Sequence, residues 1–148
     1  MKLKPLTFDF IFYPKYKNEG DFSQLEFKSH HLRHVIIKNG NKYLCMAPNG
    51  YVFISEQSCP WDITIYDNDM TLISNKYYLD LSENNENVKG FPYMVYWYFK
   101  KDGNYYYFIN TKKSTHNILS IDNNEVKVNK EIAGNNEKFE LIDVAEED

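Results

Sequence analysis

The stretch HVIIKNGNKYLCMAPNGYVFISEQSCPWDITIYD, residues 34–67, decides the fold of this chain. It contains an apolar strand, a Tyr-Leu strand, a polar turn at Asn49 and a final strand that begins at Trp61. The same order of features returns at residues 70–103 and again at residues 105–144. Self-similarity at a nearly fixed period is typical of folds that are built from repeated supersecondary units.

Three anchor points in each copy set the register of this repeat. Ile37, Ile73 and Ile109 lie at the centres of the first strands and are 36 residues apart. The second and closing strands carry apolar groups at matching places: Tyr43-Leu44, Tyr78-Leu79 and Ile118-Leu119, then Trp61-Asp-Ile63, Trp97-Tyr-Phe99 and Phe139-Glu-Leu141. The longer third copy has its extra residues in polar segments, where insertions disturb a fold least.

Composition and periodicity both favour strands over helices. Aromatic residues make up 17% of the chain, and they suit the half-buried surface of a sheet. No long segment keeps the 3.6-residue apolar rhythm of a helix. Two-residue alternation is clearer, as at Trp61, Ile63 and Ile65 against Asp62, Thr64 and Tyr66. We therefore expect an all-β chain in which residues 34–144 form one domain of three pseudo-repeats, each of about four strands. Residues 145–148 are expected to form an acidic tail.

The N-terminal extension, residues 1–33, carries its own strand signal. Leu6, Phe8 and Phe10 recur at every second position, which predicts a strand that ends near Tyr13, and residues 25–27 are predicted as a second short strand. These apolar side chains need a partner, so the extension is expected to pack on the domain. No run approaches the roughly 20 apolar residues that span a bilayer, so no membrane association is predicted.

Cysteine and histidine spacing predicts neither a metal site nor a cofactor site. Cys45 and Cys59 show no metal-ligand spacing and no dense disulfide framework. We expect both thiols to be reduced and the protein to be cytoplasmic. His30, His31 and His34 form the only histidine cluster, and no acid or cysteine stands at a useful spacing beside them. They are interpreted as polar loop residues.

Charge and motif content narrow the classes of function. The net charge of −4 argues against electrostatic binding of nucleic acid. A basic surplus in residues 1–50 leaves association with the ribosome open. The chain has no Gly-x-Ser-x-Gly elbow, no phosphate-binding glycine loop and no His-Glu-x-x-His motif. We therefore expect a protein that is not an enzyme.

The phrase NKYLCMAPNGYVFIS, residues 41–55, resembles the strand–turn–strand unit of β-trefoil proteins related to fascin, hisactophilin and, more distantly, the fibroblast growth factors. NILSIDNNEVKVNK followed by KFELI, residues 117–130 and 138–142, resembles the same unit. The resemblance covers residues 34–144 and implies a β-trefoil, in which six strands close a barrel and three hairpins cover one end. The matching residues are structural, so the resemblance transfers no activity.

The signatures of specialised trefoils are missing from the sequence. The Gln-x-Trp motif of ricin-type lectins does not occur, and neither does the basic heparin patch of the growth factors. Hisactophilin-like actin binding depends on a very high histidine content, whereas this chain has four histidines.

Residues 93–99, YMVYWYF, are the strongest candidate for a contact surface. Alternation places Tyr93, Val95, Trp97 and Phe99 on one face and Met94, Tyr96 and Tyr98 on the other, so both faces are apolar or amphipathic. Either one face is exposed, or the N-terminal extension covers it. Exposed Tyr and Trp are enriched in binding hot spots. We expect a protein partner, cytoskeletal or part of a large assembly, at Tyr93, Tyr96, Trp97, Tyr98 and Tyr106.

Two alternatives remain open at this stage. In a carbohydrate-binding domain, Trp61, Trp97 or a surface tyrosine would stack on a sugar beside Asp and Asn acceptors. The first candidates are Trp61 with Asp62, Asp67 and Asp69. In a protease inhibitor, an exposed loop such as EQSCPWD, residues 56–62, would enter the protease.

Overall fold

The structure is a computed structural model that describes residues 2–5 and 29–145. The strands predicted between residues 6 and 27, and the last three residues, lie outside these ranges. The described strands are β1 Lys2–Pro5, β2 Ser29–Asn39, β3 Lys42–Met46, β4 Val52–Ser55, β5 Trp61–Tyr66, β6 Asp69–Ser74, β7 Tyr77–Leu81, β8 Val88–Phe91, β9 Trp97–Asp102, β10 Tyr105–Ile109, β11 Ile118–Asp122, β12 Glu125–Lys130 and β13 Glu140–Ala145. One 3-10 turn, Asn135–Glu137, precedes β13.

All strand pairs in the described ranges are antiparallel and belong to one sheet. The strands β13, β2, β5, β6, β9 and β10 pair in that order. The hairpins β3–β4 and β7–β8 branch from β2 and β6, and the hairpin β11–β12 continues from β10. The prediction of an all-β chain is confirmed, and the three-unit trefoil arrangement stays a prediction.

The start of the chain joins the sheet at two places. The strand β1 pairs with β13, from Lys2 opposite Ala145 to Pro5 opposite Ile142. The strand β2 crosses residue 34, the predicted boundary between the N-terminal extension and the domain. Its pairing with β5 breaks register between Leu32 and Val35. The backbone of His34 has a φ of 61°.

Two hairpin turns lie where asparagine and glycine permit a left-handed backbone. Between β3 and β4, Gly50 has a φ of 89°, and Met46 pairs with Val52 across the hairpin. Between β11 and β12, Asn123 and Asn124 have φ values of 51° and 64°. Two successive left-handed residues are the requirement of a tight hairpin turn that matches the twist of its strands.

The core lies along the inner faces of the strands. In β5, Trp61, Ile63 and Ile65 are buried and alternate with more exposed residues, as the period-two pattern predicted. The indole nitrogen Nε1 of Trp61 donates to the carbonyl oxygen of Leu44 at 2.8 Å, and that of Trp97 donates to Leu79 at 2.8 Å. Both rings therefore have their single polar group satisfied inside the core.

The expectation of two reduced thiols is wrong. Cys45 and Cys59 form a disulfide, with Cα atoms 5.4 Å apart. Cys45 is buried on β3, and the chain returns to it after the hairpin β3–β4. The bond closes a loop with a sequence separation of 14 residues.

Gly90 is a position where an added methyl group should be costly. Its backbone nitrogen donates to the carbonyl oxygen of Gly50 at 2.8 Å, so two hairpins approach closely there. A Cβ atom at Gly90 would lie 2.6 Å from Tyr77 Cβ and 2.7 Å from Met46 Sδ. We expect Gly90→Ala to lower the free energy of unfolding by about 2–3 kcal/mol through overpacking.

Gly103→Ala is the matched control. Gly103 has a φ of 61°, and nothing lies within 4 Å of its added Cβ, so only backbone strain acts there. That strain costs roughly 1 kcal/mol. Urea unfolding of both variants measures the difference. Equal losses at the two positions would show that the hairpins are not in close contact at Gly90.

Candidate binding surfaces

The structure separates the predicted contact residues into two groups. Tyr93 and Tyr96 are 51% and 41% exposed, respectively. Trp97 and Tyr106 are fully buried, so they belong to the core and cannot contact a partner. Burial raises the pKa of Tyr106 to about 12, because ionisation of the phenol is disfavoured away from water. Tyr98 is half-buried and pairs with Asp69 and Ile109 in the sheet.

The exposed residues lie on the connection between β8 and β9. Met94, which the sequence did not single out, is 59% exposed between Tyr93 and Tyr96. The ring of Tyr93 packs against Phe91, with ring centroids 5.2 Å apart. Val95 is buried in the middle of the segment. We call Tyr93, Met94 and Tyr96 the aromatic surface.

The residues proposed for sugar binding do not come together. Trp61 is fully buried, so its ring has no free face for stacking. Asp62 pairs with Ile73 at one end of the hairpin β5–β6, whereas Asp69 pairs with Tyr66 at the other end. Four residue-to-residue steps along the extended strand separate the two ends, a distance of about 13 Å. This particular sugar site is therefore excluded.

The three aspartates also differ in their electrostatic surroundings. Asp62 is exposed, and its Oδ1 accepts a long hydrogen bond of 3.4 Å from the backbone nitrogen of His34. Asp67 is exposed in the turn, with a φ of 56°. Partial burial of Asp69, and secondarily the nearby Asp67 carboxylate, raise the pKa of Asp69.

The loop that the sequence suggested for protease inhibition, residues 56–62, is fixed to the domain at its C-terminal end. Cys59 is bonded to Cys45, and Trp61 is fixed in the core. Glu56, Gln57 and Ser58 are exposed ahead of this anchor.

Histidines and acids do not converge into a metal-binding group. His31 Nδ1 lies 2.8 Å from the hydroxyl of Thr64, and His34 lies at the register break of β2. Within residues 2–5 and 29–145, no group of three histidine, cysteine, aspartate or glutamate side chains is close enough to hold a metal ion. The same part of the chain contains no helix with the length and apolarity to cross a membrane.

Two recesses were not foreseen from the sequence. One, of about 440 Å³, lies between hairpin ends and is lined by residues 51–54, 87–88 and 124–126. The other, of about 360 Å³, lies beside the disulfide and is lined by His34, Asp62 and Lys76 among others. In the sequence, only the position of Tyr51 directly after the Asn49-Gly50 turn pointed to the first recess.

No protein-family model matches the chain, and no curated protein matches it significantly.

Proposed function

We propose that this chain is a non-catalytic binding module with a β-trefoil arrangement, and that it recognises a protein partner through the aromatic surface. The observation that carries the proposal is the exposure of Tyr93, Met94 and Tyr96 on a segment fixed by buried residues. Val95 and Trp97 lie in the core on this segment. Large amphipathic side chains that are already held in place lose little entropy when they bind a partner.

The pairing of β10 supports the closure of six strands into a barrel. Besides pairing with β9, β10 is joined by two backbone hydrogen bonds to Phe139, the residue just before β13. Tyr106 N donates to Phe139 O at 2.8 Å, and Phe139 N donates to Tyr106 O at 3.0 Å. This contact brings β10, the last strand in the order β13, β2, β5, β6, β9, β10, next to the residue that precedes the first strand.

Matching side chains support a relation between the three units. Leu44, Leu79 and Leu119 are all buried at the same place in the second strand of their copies. The residue after each leucine is also fully buried and is tied to another segment. These pairs are Cys45 with Cys59, Asp80 with Asn110, and Ser120 with Glu137.

The disulfide indicates the kind of cellular compartment in which the chain would bind a partner. The cytoplasmic location expected from the sequence depended on reduced thiols, whereas Cys45 and Cys59 are joined in a disulfide. Disulfides form and persist in oxidising compartments. The Cys45–Cys59 bond therefore favours a partner outside the reducing cytoplasm over the cytoskeletal or ribosomal partner considered from the sequence.

Affinity purification with the tagged chain as bait, followed by mass spectrometry, tests the aromatic surface. We expect Tyr93→Ser/Tyr96→Ser to reduce recovery of one defined partner at least about tenfold, since loss of two hot-spot residues costs more than about 1.4 kcal/mol. The fold should be retained, because both side chains are largely exposed.

Ile132→Ser is the matched control for this experiment. Ile132 is 81% exposed and lies on the connection between β12 and β13, so its replacement also removes exposed apolar area. Recovery with Ile132→Ser should equal that of the unaltered chain. Equal recovery with the double variant as well would rule out the aromatic surface as the contact.

A further inference from the structure

We propose that the recess of about 440 Å³ between the hairpin ends binds a neutral saccharide, with one sugar ring stacked on Tyr51 and its hydroxyl groups bonded to Asn87 and Asn124. This recess contains none of Trp61, Asp62, Asp67 and Asp69, the residues that the sequence named first for sugar binding. It is also independent of the aromatic surface and shares no residue with it.

Backbone contacts between hairpins hold the walls of the recess. Gly90 N donates to Gly50 O at 2.8 Å, which joins β3–β4 to β7–β8. Val128 N donates to Glu86 O at 2.7 Å, which joins β7–β8 to β11–β12. A site whose walls are fixed before binding loses little entropy when a ligand enters.

Tyr51 provides the stacking surface. It is 65% exposed, and its backbone nitrogen donates to Asn49 Oδ1 at 3.0 Å. The ring lies nearly parallel to that of Phe53, at an angle of 10° with centroids 6.1 Å apart. A flat aromatic face with a partial negative charge is complementary to the C–H groups on the apolar face of a pyranose.

The rim supplies hydrogen-bonding groups with balanced charge. Asn87 Oδ1 accepts from Asn84 Nδ2 at 2.6 Å, and Asn124 Oδ1 accepts from Lys42 Nζ. The amide N–H groups on the other side of each asparagine can then donate to ligand hydroxyls.

Glu125 adds an acceptor to this rim without adding a strong net charge. Its carboxylate lies 3.4 Å from Lys127 Nζ, and Lys127 lies 3.4 Å from Glu86. These partners raise the pKa of Lys127, the hydrogen bond with Glu125 contributing most. Donors, acceptors and paired charges favour a neutral polyhydroxylated ligand over an ion.

Volume and lining residues distinguish this recess from the other recess and from the aromatic surface. Its volume lies in the lower part of the roughly 300–1,000 Å³ range of ligand pockets, which suits a short saccharide. The recess beside the disulfide has no tyrosine, tryptophan or phenylalanine among its lining residues. The aromatic surface lines neither recess.

A glycan array probed with the full chain, made multivalent on streptavidin, tests the proposal. The array should display neutral hexoses, N-acetylhexosamines and their short oligomers, and the best ligand is then titrated by calorimetry. We expect Tyr51→Ser to weaken binding about tenfold or more through loss of stacking. Asn124→Gly, which keeps the left-handed turn but removes the amide, should weaken it severalfold.

The Tyr93→Ser/Tyr96→Ser variant is the control, and it should bind the glycan as the unaltered chain does. Absence of binding to every neutral glycan would overturn the proposal. Binding that neither Tyr51→Ser nor Asn124→Gly weakens would overturn it as well. Either result leaves the partner experiment on the aromatic surface unaffected, since the two tests use different variants and different ligands.

Discussion

Trp97→Ala is expected to lower the free energy of unfolding by about 4 kcal/mol, because it removes a large buried ring and leaves a cavity. Trp97 is fully buried, and its indole nitrogen donates a hydrogen bond of 2.8 Å to the carbonyl oxygen of Leu79. That acceptor would lose its partner inside the core. For a domain of this size the loss corresponds to a fall in melting temperature of roughly 10 °C, which circular dichroism measures directly.

Two control variants separate the contributions of Trp97. Trp97→Phe keeps most of the ring volume and removes the hydrogen bond, so a smaller loss of about 1–2 kcal/mol is expected. Tyr98→Ala alters the adjacent, half-buried side chain and should cost about 1 kcal/mol. A Trp97→Ala protein as stable as the unaltered chain would contradict the placement of this ring in the core.

Removal of the disulfide has the second largest expected effect. Cys45→Ala/Cys59→Ala frees a loop with a sequence separation of 14 residues. The restored entropy of the unfolded chain should lower the free energy of unfolding by about 3 kcal/mol. Urea unfolding with and without dithiothreitol measures this effect.

The reductant supplies the control within the same experiment. The unaltered chain should fall toward the stability of the double variant when it is reduced, whereas the double variant should not respond. Thiol titration of the denatured, unreduced chain should find no free cysteine, because both cysteines are in the bond. Two titratable thiols and no effect of dithiothreitol would contradict the disulfide.

Local patterns in the sequence predicted much of the sheet. Alternation in residues 61–65 identified the buried face of β5, and the Asn49-Gly50 pair located the hairpin β3–β4. In the segment 93–99, alternation was correct for Val95, Trp97 and Phe99, which are all buried. These successes share one cause, since each depends only on the two-residue period of an extended chain.

The same rule was wrong for Tyr93. It was assigned to the face of Val95 and Trp97, yet it is exposed. The strand β9 begins only at Trp97, and residues 92–96 form an irregular connection. Parity of sequence position has no meaning for side-chain direction outside a strand.

Features that depend on contact between distant segments could not be read from the sequence. The spacing of Cys45 and Cys59 does not reveal that the hairpin returns their Cα atoms to within 5.4 Å. The acidic residues 62, 67 and 69 are close in sequence, but the hairpin separates the first from the others. The saccharide recess joins three hairpins, and its lining residues span positions 51–126.

The contact between β10 and Phe139, the residue just before β13, is the structural feature on which the proposed three-unit scaffold most depends. Amide hydrogen exchange by nuclear magnetic resonance measures it at Tyr106 and Phe139, whose backbone groups bond to each other at 2.8 and 3.0 Å. We expect both amides to exchange only through global unfolding, with a free energy equal to that from urea denaturation. Rapid exchange at both amides, while those of β5 and β6 stay protected, would show an open sheet and contradict the trefoil arrangement.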